Sequence, residues 1–343
     1  MSVLVSALKP ALKRIHFPAA LKLIEMLTPN CALGLLAKML EFRWIQTRYL
    51  NMKIEKIYGI TLVLTCGLAA TLKAQSLYVA TAGGNTFGEY GLDGATINDT
   101  LISGLGNPHA IAISGDNIFV ANYAGTIGEY TTSGATVNAS LISGLNTPDG
   151  IAISGNDLFV TSYYGGVGKY TTSGATVNAA LISGLFYPDG IAIAGNDLFV
   201  VNNNGGTLGE YGLDGSTVNA SLISGLYTPA GIAISGNYIF VVNFWLGTVG
   251  EYTTSGETVN ASLITGLSEP DCIAISGDNL FVGNWGSGTI GEYTTSGETI
   301  NASLISFTLG NPAGIVINPA PEPSAVALAG LGATAFWLWR RRK

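Results

Sequence analysis

The chain has 343 residues, 46 of them Gly, and only 11% are charged. Between residues 75 and 320, ten Asp and eight Glu face a single cation, Lys169, for a net charge of −17, which excludes nucleic-acid binding by this stretch because phosphate recognition needs clustered cations. The same stretch holds one His, His109, and one Cys, Cys272, so it has no intrachain disulfide and no CxxC metal site, and zinc clusters or Ser-His-Asp catalysis would rest on one imidazole.

Residues 1–51 carry basic residues and scattered Leu and Ala, unlike anything after them. They are read as an over-long N-terminal extension ahead of a start at Met52, with an amphipathic leader as the alternative. Residues 52–74, "MKIEKIYGITLVLTCGLAATLKA", have the layout of a secretory signal peptide. Lys53 and Lys56 form the basic region, Ile60 to Ala70 the apolar run, and Ala74 the small residue before Gln75. The run is short for a membrane span. Cys66 raises a lipoprotein alternative, which Thr65 before it fits poorly.

From residue 76 four short phrases recur about every 40 residues. The first is "LFV", centred on Tyr78, Phe119, Phe159, Phe199, Phe240 and Phe281. The second is "GEY", ending at Tyr90, Tyr130, Tyr170, Tyr211, Tyr252 and Tyr293. The third is "LIS", starting at Leu101, Leu141, Leu181, Leu222, Leu263 and Leu304. The fourth is "IAI", starting at Ile111, Ile151, Ile191, Ile232, Ile273 and, as "IVI", Ile315. Each is a β-branched or aromatic run bounded by Gly, Pro, Asn or Asp, which predicts a strand. Four strands per 40 residues predict one β-propeller blade, and frequent Gly and turn pairs exclude long helices.

The array opens on "LFV" and closes on "IVI". With "IAI" as the innermost strand, the last such strand pairs with Leu77-Tyr78-Val79, so both chain ends build one blade and no sheet edge is left open. The expected fold is therefore all-β, a six-bladed propeller over residues 75–318 closed in this way. The small middle residues of the inner strand, Ala112, Ala152, Ala192, Ala233 and Ala274, are expected where the axis is most crowded.

Residues 319–343 hold Pro321-Glu322-Pro323, an apolar run over 324–339 and a basic end, Arg340, Arg341, Arg342 and Lys343. The expected form is a short transmembrane helix with a basic stop on the cytoplasmic side. The layout resembles the PEP-CTERM sorting signal. That resemblance implies export, recognition by an exosortase-type machinery, and membrane anchoring followed by delivery to the cell surface or extracellular matrix.

The repeats resemble NHL and related YVTN-type propellers, which share a Pro-x-Gly-Ile-Ala strand and a strand of the form Leu/Ile-Phe/Tyr-Val-Ala-Asn/Asp. The match covers about residues 76–318. It departs where Asn122, Asn202, Asn243 and Asn284 replace the usual Asp.

In such a blade the connections that vary here all open on one face, around the mouth of the axis. They carry Tyr123, Tyr163, Tyr164, Phe186, Tyr187, Tyr227, Phe244, Trp245 and Trp285, the candidate ligand-binding residues for polysaccharide or surface proteins. The alternative for these rings is gap-filling between blades. The constant turns lie on the other face, where the tail leaves, so the mouth is expected to look outward.

The leading reading has no catalytic residues and no cofactor. The alternative is a metal-dependent lactonase or hydrolase, since gluconolactonase-type propellers, which the ring resembles, use a central metal. Asp149, Asp189 and Asp271, with Asn202, Asn243 and Asn284, are the Ca²⁺ candidates for it. The competing expectation is that Pro-Asp-Gly is a turn and that Asn forms Asx turns. His109 is read as a solvated or packed loop residue. Glu89, Glu129, Glu210, Glu251 and Glu292 are read as a solvated strand face. The sequons at Asn98, Asn138, Asn219, Asn260 and Asn301 are read as turn chemistry.

Overall fold

The computed structural model describes residues 75–318; the segments read as an extension, a signal peptide and a transmembrane helix lie outside them. Twenty-four strands form six four-stranded antiparallel sheets. The first blade takes β1 (Ser76–Ala82), β2 (Thr86–Gly91) and β3 (Thr96–Ser103), and adds β24 (Asn311–Asn318) as its innermost strand. The second holds β4 (Pro108–Ser114), β5 (Asn117–Asn122), β6 (Thr126–Thr131) and β7 (Thr136–Ser143). The third holds β8 (Pro148–Ser154), β9 (Asp157–Ser162), β10 (Gly166–Thr171) and β11 (Thr176–Ile182). The fourth holds β12 (Pro188–Ala194), β13 (Asp197–Asn202), β14 (Thr207–Gly212) and β15 (Thr217–Ser224). The fifth holds β16 (Pro229–Ser235), β17 (Tyr238–Asn243), β18 (Thr248–Thr253) and β19 (Thr258–Ile264). The sixth holds β20 (Pro270–Ser276), β21 (Asn279–Asn284), β22 (Thr289–Thr294) and β23 (Thr299–Ser306).

The second strand of each blade is a continuous apolar run because a neighbouring blade covers each of its faces. Ile118 and Val120 point into one cluster with Tyr78 and Phe87, while Phe119 points the other way, against Ile151, Leu158 and Val160. Six such clusters fill six blade interfaces. In one of them Leu77 and Val79 of β1 meet Phe281 and Ile290 of the sixth blade. β1 pairs with β24 in the register Leu77↔Ile317, Tyr78↔Val316 and Val79↔Ile315.

The crowding at the axis falls two residues before the alanines. Ala112 sits opposite Phe119 and Ala274 opposite Phe281, as fillers of the clusters between blades. The tight approach is at Gly150, Gly190, Gly231 and Gly314. A Cβ on each would strike a neighbouring inner strand's backbone oxygen, of Asp189, Ala230, Asp271 and His109 respectively. A backbone carbonyl cannot move aside without shifting its own strand. Gly190→Ala is therefore expected to cost about 2–3 kcal/mol, as overpacking does in tight cores, read as a lowered urea midpoint. A neutral outcome would mean the inner strands are looser than drawn.

Of the glutamates of the third strand, Glu129, Glu210, Glu251 and Glu292 are half-exposed and only Glu89 is buried. Glu89 is buried and accepts from Ser76 Oγ at 2.8 Å, and Glu292, half-buried, accepts from Asn279 Nδ2 at 2.8 Å. Lys169, at the same position, pairs with Asp157 at 2.9 Å and lies 5.2 Å above the Phe159 ring. The fourth strand begins well before "LIS". In β7, residues Thr136 to Ser140 are exposed, and only Ile142 is buried. There Asn138 Oδ1 accepts from the Ser140 N–H at 3.1 Å, and Asn178 does the same to Ala180. The Asx turn thus needs no hydroxyl at the third position.

Candidate functional site

Every inner strand opens at the mouth with Pro or Asn-Pro, and the residue after Pro is His109, Asp149, Asp189, Ala230, Asp271 or Ala313, one per blade. Pro-Asp-Gly is therefore the first residues of a strand and not a turn. The turn comes one residue earlier, where Asn107, Thr147, Tyr187, Thr228 and Glu269 take φ of 58°, 52°, 52°, 45° and 50°. These left-handed conformations are unusual for residues other than Gly. Each is held by a bond from the next loop. The N–H groups of Tyr123, Tyr163, Asn203, Phe244 and Trp285 donate to those five carbonyls, at 2.9, 2.9, 3.1, 3.0 and 2.9 Å. The two sets of variable connections are thereby laced together around the mouth.

His109 is neither in a loop nor without a partner. It opens β4, and its Nδ1 lies 2.8 Å from Asp149 Oδ1, with side chains only 17% and 10% exposed. Asn107 Nδ2 is 3.3 Å from Nε2. The Tyr123 ring stacks on the imidazole at 4.6 Å, and Trp285 lies 6.1 Å away. Aligning the repeats puts His109 in the slot of Asp149, Asp189 and Asp271, and that alignment is the signal a residue-by-residue reading passes over.

Asp189 and Asp271 both feel the charge of Asp149. Burial first, then Asp149 and Asp271, lift Asp189 well above the usual carboxylate range, against a weak pull from Asn203, whose Nδ2 donates at 3.4 Å. Burial and then Asp149 push Asp271 up to about 7, opposed by His109. Burial works against a charged imidazole, yet the bond to Asp149 and the charges of Asp149 and Asp271 raise His109 above 6.5. Among the described residues no three His, Cys, Asp or Glu side chains converge closely enough to hold a metal ion.

Two of the asparagines use their side-chain oxygens within the frame, while Asn202 Oδ1 and Asn284 Oδ1 are buried without a hydrogen-bond partner. Asn122 Oδ1 accepts from Gly106 N–H at 3.2 Å and Asn243 Oδ1 from Tyr227 N–H at 3.3 Å. Asn122, Asn202, Asn243 and Asn284 all donate to a Thr hydroxyl of the following strand.

The candidate aromatics form three groups. Tyr123 and Trp285 flank His109. Tyr163 stacks on Tyr187 at 4.4 Å and 7°, with Tyr164 edge-on to both at 5.0 and 5.4 Å. Phe244 meets Trp245 at 5.0 Å and also packs on the fifth-to-sixth blade cluster, so it is partly a gap-filler. Tyr164, Phe186, Tyr227 and Trp245 are more than half exposed.

Six radial four-stranded sheets with a built mouth define a six-bladed β-propeller. Residues 319–343 match the PEP-CTERM protein-sorting motif, which implies export and recognition by exosortase-type machinery. No curated protein matches the chain. Among solved structures, one chain of a nidogen/laminin complex matches with 16% identity and a TM-score of 0.62, over 71% of this chain and 98% of that one. Virginiamycin B lyase from Staphylococcus aureus matches with 22% identity and a TM-score of 0.52, over 70% and 84%. A gluconolactonase from Xanthomonas campestris matches with 13% identity and a TM-score of 0.53, over 60% and 78%. At these identities the likeness is one of fold, and that fold is shared by enzymes and non-enzymes alike.

Proposed function

We propose that this is an exported, non-catalytic propeller of the cell surface or extracellular matrix that binds polysaccharide at the mouth of its axis. One observation carries the reading: half-buried and exposed rings gather on the same face, around a polar well. Stacked rings suit the apolar faces of sugars. The acidic well turns away anionic ligands. β24 ends at Asn318, at the end remote from the mouth, and the sorting tail follows it in the sequence.

The test is retention of the exported protein on polysaccharide extracted from the matrix of the producing cells. Tyr163→Ala with Trp285→Ala is expected to weaken retention by about tenfold or more, in line with about 1–1.5 kcal/mol per lost stacked ring. Tyr238→Ser, an exposed tyrosine of the opposite face (47%), is expected to leave it unchanged. Equal retention of all three proteins would overturn the reading.

A catalytic reading has its own support, the His109–Asp149 pair with Asp271, half protonated near neutrality, across the axis. Such a set can shuttle a proton. Turnover of an aliphatic lactone that vanishes in His109→Ala would establish it.

A further inference from the structure

The outermost strand of each blade is a sheet edge: β3, β7, β11, β15, β19 and β23 each pair with a neighbour on one side only. Edge strands are commonly guarded by charges, yet Asp99 is the one charged residue on these six. Each also exposes an aliphatic side chain, Ile97, Val137, Val177, Val218, Val259 or Ile300, to between 50% and 59%. The residue after each is Asn, and every Asn-x-Ser/Thr sequon of the chain falls at this place, at Asn98, Asn138, Asn219, Asn260 and Asn301. In the third blade the same place reads Asn178-Ala179-Ala180.

The turn at these asparagines does not account for the hydroxyl. Oδ1 accepts the N–H two residues on, at 3.2 Å in Asn98 and 3.1 Å in the other four, and Asn178 makes the same bond to Ala180 at 3.1 Å. The five asparagines are exposed, and their Nδ2 atoms donate to no described residue. The hydroxyls of Ser140, Ser221, Ser262 and Ser303 are likewise exposed and bond to no described residue. Folding thus uses Oδ1 and the N–H, and leaves Nδ2 and the hydroxyl over. An exposed Asn-x-Ser/Thr with no Pro in the middle is an acceptor for N-linked oligosaccharide. A glycan there covers the neighbouring aliphatic and denies the edge to another sheet, the protection that charges give elsewhere. We propose that Asn98, Asn138, Asn219, Asn260 and Asn301 are glycosylated during export. In the transfer, Nδ2 attacks the anomeric carbon of a polyprenyl-diphosphate-linked oligosaccharide. The new N–C bond replaces the C–O bond, the polyprenyl diphosphate leaves, and the amide proton passes to a base of the transferase. The inference stands apart from the mouth and its ligand.

The test is the intact mass of the exported protein purified from its producing cells, with glycopeptide fragmentation to place the added sugar. Sugar is expected on the five sequon asparagines and not on Asn178. Ser140→Ala is expected to lose the addition at Asn138 and to melt with the parent, because the third blade makes this turn with Ala180. Ala180→Ser is expected to gain an addition at Asn178. A mass accounted for by amino acids alone would overturn the inference, as would sugar confined to Ser and Thr hydroxyls. Sugar on Asn178 of the parent, an undiminished addition at Asn138 in Ser140→Ala, or no gain in Ala180→Ser would overturn it too, since the hydroxyl would then not select the site.

Discussion

A chain ended after Gly310 is expected to lose its cooperative unfolding transition, while one ended after Ala320 keeps it. The first lacks β24 and the second retains it. Without β24, β1 loses its inner hydrogen-bonded neighbour along its whole length, from Ser76↔Asn318 to Ala82↔Asn311. Ile315, 8% exposed, is removed from the cluster it shares with Leu77, Val79 and Phe281. Val316 and Ile317 leave the packing on either side of the first blade. Burial of each large aliphatic side chain contributes about 1.5–3 kcal/mol, and the uncovered faces of β1 add to the loss. The total is comparable to the about 5–15 kcal/mol that holds a typical domain together. A bare apolar edge on β1 also invites aggregation. Circular dichroism melts and size-exclusion profiles of the two chains decide the matter. A cooperative melt from the shorter chain would mean the ring does not depend on its closing strand.

The second large effect is a dependence of stability on pH, set by the mouth. Asp271 titrates at about 7 in the folded chain against an ordinary value of 3.8. Between those values the folded chain holds a proton that the unfolded chain has released, so stability falls as pH rises through that window and levels off above it. His109 adds to the trend. Its raised folded value means that the Asp149 pair stabilises below 6.5 and that this contribution is lost as pH climbs through the folded value. At about 1.4 kcal/mol per tenfold change in the protonation equilibrium, the Asp271 displacement is worth at most about 4 kcal/mol. Urea melts of the parent are expected to give a more stable protein at pH 5 than at pH 8. Asp271→Asn, which mimics the protonated carboxyl, is expected to match the parent at pH 5 and exceed it at pH 8. A parent as stable at pH 8 as at pH 5, or a variant with an undiminished decline, would show that Asp271 is solvated in the folded chain.

The strands were legible because each is specified by neighbours in the chain. "LFV", "GEY" and "IAI" alternate or run apolar over six or seven residues, and Gly at positive φ, such as Gly155 at 58°, marks the turns between them. The gathering of Tyr123, Tyr163, Tyr164, Tyr187, Trp245 and Trp285 on one face was legible too, since antiparallel strands send alternate connections to opposite faces. Glu89 was misjudged because it occupies the same place in its strand as the half-exposed Glu129, Glu210, Glu251 and Glu292, and an alternating pattern does not distinguish it from them.

Local pattern alone settles how many blades there are and which loops share a face, because backbone hydrogen bonding and the two-residue strand period act over a few residues. The chemistry of the mouth was settled by curvature. The rotation between blades brings His109 within 2.8 Å of Asp149, 40 residues on, and sets Asp271 where it feels both. The same rotation brings Gly190 against the Ala230 carbonyl and leaves no room for a methyl group. A radius of closure is the sum of many small packing angles, and no single stretch of the chain encodes it.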